Sequence, residues 1–226
     1  MARVTLLKQR RFWLPTASGL LLLLLICVVI GYLMSANLYS YLAQNEPVGA
    51  RVLVVEGWMD PEELDQAIQT FNKGNYEHVV TTGGPVIRWH RMSTVSDYAT
   101  QAAEYLGQHG ISPELISAVP APKSRRERTF LSAVTFRESA QRLGISLDAV
   151  DVFSAGPHAR RTRLLFQMAL GPGVRVGVFS ARPTDFDPEA WWRTRAGVEQ
   201  MIYQSFGFVW VKCCFWPGPL GSKEEL

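Results

Sequence analysis

Between Arg11 and Glu46 the chain carries no charged side chain, and inside that stretch residues 20–25 are all leucine, followed by Ile26, Val28, Val29 and Ile30. About 20 apolar residues in a helix span bilayer hydrocarbon. A buried core helix fits poorly, because no polar face recurs at helical spacing. Trp13 on one side and Tyr32, Tyr39 and Tyr41 on the other are the aromatic types that settle at membrane interfaces. Residues 12–36 therefore read as one transmembrane signal anchor. Cleavage as a secretory signal is disfavoured, since Ser35-Ala36-Asn37 is a weak small-residue site and the apolar stretch is long. Lipid attachment at Cys27 is disfavoured by the bulky Leu25-Ile26 before it.

Charge gives the orientation. The formal +3 comes from 23 basic and 20 acidic residues, but Arg3, Lys8, Arg10 and Arg11 all precede the first acid, Glu46. Basic residues ahead of an anchor stay inside. The expectation is an inner-membrane, single-pass protein with a cytoplasmic tail over 1–11 and its main domain periplasmic or otherwise extracytoplasmic. Without those four residues the rest of the chain is nearly neutral, so no nucleic-acid partner is implied. A content of 47% hydrophobic and 11% aromatic residues excludes a disordered chain.

After a linker over 37–50, short apolar runs alternate with amphipathic stretches. Val52-Leu53-Val54-Val55 reads as a strand buried on both faces, and Asp60-Pro61-Glu62-Glu63 as a helix start. Further strands are expected at 78–82, 115–119, 150–153 and 174–179. Helices are expected at 96–109, 127–143 and 157–169. This alternation predicts an α/β, Rossmann-like, mostly parallel sheet with helices on both faces, preceded by one transmembrane helix. The domain occupies 51–183, and 184–226 forms a C-terminal helix and aromatic tail. There, 188–203 reads as a long helix, and the apolar run 206–211 as an additional strand or a membrane-proximal patch.

Open parallel sheets bind ligands beyond the carboxyl ends of their strands. That rule singles out Glu56 and Gly57 after the first strand, Gly83 and Gly84 after the second, residues 123–129 with Thr129 and Ser132 after the third, and Ser154 with His158 after the fourth. These loops are expected to form one electropositive cleft. His158 and Arg161 stand one helical turn apart, so a proton carrier and an anion clamp can face one ligand. The alternative is a locally bonded histidine beside an exposed arginine, and Arg163 reads as solvated surface. Lys123, Arg125, Arg126 and Arg128 fit an anion pocket or a solvated charge run equally well. Asp97 is a candidate general acid or base, or else a helix cap.

Cys27, Cys213 and Cys214 form no disulfide framework, and His78, His90, His109 and His158 lack metal-ligand spacing, so no metal site is expected. There is no glycine-rich dinucleotide turn, no Walker-type Gly-Lys-Ser/Thr and no Gly-x-Ser-x-Gly elbow.

Over residues 51–179 the pattern resembles the YdcF-like family, which includes the envelope proteins SanA and ElyC. The resemblance rests on Val54-Val55-Glu56-Gly57, Thr82-Gly83-Gly84, Ala103-Glu104-Tyr105-Leu106 leading to Gly110-Ile111, Thr129 with Ala133, and Ser154 through His158 with Arg161. It implies a Rossmann-like domain tethered outside the membrane and a role in envelope homeostasis, in peptidoglycan or lipid-carrier metabolism. The ligand it implies is an anionic small molecule, a lipid-linked envelope precursor or a nucleotide-like molecule such as S-adenosylmethionine. The family's acidic position on the second helix falls at Tyr98 or Asp97, and its Glu-Asn pair becomes Leu131-Ser132. Those departures leave open a second reading, a noncatalytic scaffold recruiting an envelope protein partner.

Overall fold

Five short apolar segments pair side by side in parallel, and the residues between them return as helices. The computed structural model describes residues 16–86, 96–124 and 126–217. The basic tail 1–11, Trp13, His90, Arg125 and the last nine residues lie outside these. The chain divides into two units, Met1–Asn37 and Leu38–Leu226.

The first unit carries most of helix α1, Ala17–Leu42, which is long and apolar enough to cross a membrane. The helix does not stop at residue 36 as expected. Ser35 and Asn37 turn their side chains back onto the carbonyls of Tyr32 and Leu33, so neither breaks it. The expected linker therefore begins as helix, and residues 38–42 belong to the second unit. There Leu42 is buried with Met201 and Phe208. Arg160 lies 3.9 Å from the Tyr41 ring centroid and bonds the Tyr41 carbonyl.

The second unit is built on strands β1 (Val52–Glu56), β2 (His78–Gly83), β3 (Ile116–Pro120), β4 (Ala149–Ala155) and β5 (Arg175–Ala181) in the order β3-β2-β1-β4-β5, all parallel. Alternation along the strands sorts the core. Val52, Val54, Val80, Val150 and Val152 face α4 (Arg128–Ala140), α5 (Ala159–Leu170) and α6 (Arg195–Cys214). Leu53, Val55, Val79 and Phe153 face α2 (Pro61–Lys73) and α3 (Tyr98–Gln108). The α/β fold with helices on both faces is as the sequence implies.

At the opposite end of the sheet from the expected ligand loops, Asp151 is fully buried. It accepts from the backbone NH groups of Val48 and Ala50 and from the Tyr76 hydroxyl. Beside it, Arg163 is not solvated as expected. It pairs with Glu46 at 2.7 Å and donates through Nε to the Val176 carbonyl.

The C-terminal region differs most from expectation. Residues Pro188–Arg193 form a kinked 3₁₀ segment, and α6 starts afresh at Thr194, whose hydroxyl accepts from Gly197 NH. The run 206–211 is helix, not strand. Met201, Gln204, Phe208 and Val211 recur every three or four residues and bury one face, a spacing a strand cannot satisfy.

Candidate ligand site at the strand tips

The sheet reverses its strand order between β1 and β4, and beyond that point open parallel sheets leave a crevice. Glu56 ends β1 there, and Ser154 stands near the end of β4. Both continue the face occupied by Val54 and Val152, so both side chains point toward α4 and α5.

Glu56 is 2% exposed and receives four hydrogen-bond donors, with His158 beside them. Its Oε2 accepts from Ser154 at 2.5 Å and Thr162 at 2.9 Å. Its Oε1 accepts from Trp58 Nε1 and Thr129 Oγ1, each at 3.3 Å, and lies 3.6 Å from His158 Nε2. Burial alone would raise its pKa. The charge that His158 carries when protonated, with hydrogen bonds from His158, Ser154 and Thr162, outweighs burial and holds it down at about 2. This carboxylate is saturated by the protein, so its work is to fix the groups around it and not to grip a ligand.

His158 is 4% exposed and sits between that carboxylate and α6. Arg161 donates to its Nδ1 from Nη2 at 2.9 Å and Nε at 3.3 Å, and Gln204 Oε1 stands 3.0 Å from the same nitrogen. With Arg161 donating, Nδ1 is the acceptor and Nε2 carries the proton, facing Glu56 and Thr129 Oγ1 at 3.4 Å. When Nδ1 carries the proton instead, it donates a hydrogen bond to Gln204 Oε1 and Arg161 loses that acceptor. The imidazole therefore has partners in either state. Trp58 closes one side, its ring edge-on to the imidazole at 5.3 Å between centroids.

Around this cluster opens a cleft of about 1450 Å³, lined by Glu56, Gly83, Gly84, Thr129, Ser132, His158 and Arg161 among others. The loops after β1, β2, β3 and β4 thus meet as the sequence rule requires. Ser154 lies beneath the lining, fully buried on Glu56. Gly57 is needed for backbone packing: a Cβ there would collide with the Tyr98 carbonyl and press on that of Thr82. Asp97 does not line the cleft. It caps α3, accepting from Thr100 NH at 2.8 Å and from the Ser96 hydroxyl at 2.9 Å. The structure therefore gives it the capping role.

The cleft is not uniformly electropositive. Lys123, Arg126 and Arg128 line the side belonging to the loop before α4, whereas Asp60, Glu63 and Asp185 line another part. Glu63 is pushed up to about 7, first by burial and then by Asp60, Asp185 and Glu56, with the hydrogen bond from the Asp60 backbone opposing. These acids matter for a nucleotide-like ligand. In dinucleotide folds a diphosphate rests on the helix after β1, but here the N-terminus of α2 holds its own Asp60–Glu63 capping box and an acidic first turn. The residues do not fit a diphosphate at that position. Anions are directed instead to the N-terminus of α4, which has no side-chain cap, whereas α5 continues from the 3₁₀ turn Gly156–His158 and its Ala159 NH is bonded to the Gly156 carbonyl. Glu127, just before α4, adopts a left-handed conformation with φ 40°.

No protein-family model and no curated protein sequence matches the chain.

Three contributors to the site were not singled out from sequence. Thr162 follows His158 by four residues, so helical spacing alone placed it on the same face. Trp58 adjoins Gly57 in a turn already marked. Gln204 has no local signal, because it falls between the helix expected to end at 203 and the apolar run that begins at 206. Among the described residues, no group of three or more histidine, cysteine or acidic side chains is placed to hold a metal ion.

Proposed function

We propose that the protein is a single-pass, membrane-anchored α/β protein. Its tail lies in the cytoplasm and its domain outside, where the strand-tip cleft binds and processes an anionic small molecule of envelope metabolism. The observation that carries this reading is the meeting of the uncapped N-terminus of α4 with Arg161 and His158 at the point where strand order reverses. Free backbone NH groups and a guanidinium together favour a phosphate or carboxylate.

In this reading Arg161 holds the anion and leaves His158 Nδ1 to move a proton, while Glu56 keeps the imidazole in place. The resemblance to YdcF-like proteins extends the proposal to peptidoglycan or lipid-carrier metabolism. The cleft exceeds the roughly 300–1000 Å³ of ordinary small-ligand sites, which leaves room for a phosphorylated head group with more attached.

The test is binding of pyrophosphate and of a polyprenyl phosphate to the full chain in detergent, with retained small molecules identified by mass. Arg161→Ala is expected to weaken binding about tenfold or more with the thermal transition preserved. Unchanged affinity, or retention of a protein partner and no small molecule, would replace this reading with the scaffold.

A further inference from the structure

Helix α6 is apolar on both sides. Between Glu199 and Lys212 it has no charged residue. Met201, Phe208 and Val211 bury one face, while Ile202, Tyr203, Phe206, Val209 and Trp210 are exposed on the other, Phe206 by 75%. These five positions follow the i, i+1, i+4, i+7, i+8 rule, so they form one stripe along the helix. A helix apolar all round belongs in a core or against lipid, and only one side of α6 is covered by its own domain.

The covered side identifies what meets the other. Met201 and Phe208 pack with Leu42, Leu38 and Tyr39. Leu38 follows Leu33, an apolar residue of the proposed span, by five residues, so extended chain could separate the two by at most about 18 Å. The support of α6 is therefore tethered close to the bilayer, however the intervening chain runs. The composition matches that place. Tyrosine and tryptophan combine an apolar ring with a polar tip and partition to the membrane interface, and Lys212 supplies a cation at the same end of the helix. Glu199 and Asp185 flank the other end of the stripe, which confines the contact to the C-terminal half.

We propose that the exposed stripe of α6 is a second membrane contact, lying in the interface of the same bilayer that α1 spans. Tyr203 and Trp210 also line the ligand cleft, so the docked helix sets one wall of that cleft at the lipid surface. The proposal rests on the anchored reading above.

The full chain, with Cys27→Ala, Cys213→Ser and Cys214→Ser, is labelled with an environment-sensitive fluorophore at Leu25→Cys, Phe206→Cys or Lys73→Cys and placed in nanodiscs containing spin-labelled lipid. The label at 25 reports the span, and that at exposed Lys73 reports solvent. The expected result is quenching at 25 and 206 by about half and none at 73. Quenching at 25 without quenching at 206 overturns the docking of α6 and leaves the anchor intact. A label at 206 that is shielded from water yet unquenched by lipid means that protein covers the stripe, which also overturns it. No quenching at 25 removes the anchor and the docking together. Val209→Cys repeats the measurement one turn on.

Discussion

Glu56 and Ser154, each one residue beyond the paired Val55 and Phe153, are joined by a hydrogen bond of 2.5 Å across the point where the sheet reverses its strand order. The two strands pair directly up to this point, and the charge-assisted bond forms the floor of the crevice beyond their carboxyl ends. His158, Thr129 and Thr162 are then arranged around that floor.

Replacing the carboxylate tests its organising role. Glu56→Gln is expected to destabilise the domain by roughly 2–4 kcal/mol near neutral pH, because buried donors lose their acceptor. Glu56 has a folded pKa below its ordinary 4.5, so its contribution is complete above 4.5 and is lost as pH falls toward 2. Denaturant unfolding of both proteins should show the gap narrowing across that window. A constant gap would assign the loss to packing.

Glu63 works in the opposite direction. Its folded pKa of about 7 exceeds 4.5, so the folded protein keeps a proton that the unfolded chain releases, and stability declines as pH rises between those values. Glu63→Gln keeps a capping-box acceptor and removes the titration. Its melting temperature should match the parent at pH 4 and exceed it by roughly 2–4 °C at pH 8. Equal melting temperatures at both pH values would show that Glu63 is not perturbed.

Gly57→Ala should cost about 1–3 kcal/mol, since the added methyl meets two backbone carbonyls that cannot rotate away. A fall in melting temperature measures it. Tolerance of alanine would mean that the turn after β1 is free to shift.

Gly207 offers a gentler way to disturb Arg161. A Cβ at 207 would meet the guanidinium, the end of a flexible side chain, so Gly207→Ala is expected to push Arg161 from His158. Helix propensity favours alanine there by about 1 kcal/mol. Stability should hold or rise while pyrophosphate affinity, measured by calorimetry, falls between that of the parent and Arg161→Ala. A parallel loss of stability and binding would point to a damaged helix instead.

The sheet was legible because each strand is a short apolar run closed by glycine or proline, and those runs left few alternatives. The C-terminal helix was not, because Phe206-Gly207-Phe208-Val209-Trp210-Val211 is rich in strand-forming types and its exposed face is as apolar as its buried one. Periodicity has nothing to distinguish when both faces read alike. At the site, strand-tip position was enough to mark Glu56, Thr129 and His158. Whether a marked side chain faces outward or is consumed by internal bonds depends on partners far apart in sequence. Thus position marks Glu56 as a ligand contact, and the structure adds that its carboxylate is the hub for Ser154 and Thr162. Asp97 fits both readings by its position, and Thr100 NH on its carboxylate selects the cap.

Gln204 reaches His158 from α6, 46 residues further along the chain. During synthesis the sheet can be completed well before that glutamine has emerged, so the pocket is finished last. A nascent chain still emerging from the ribosome would hold all five strands and yet lack the α6 partner of its histidine, so the site is complete only once α6 has folded back.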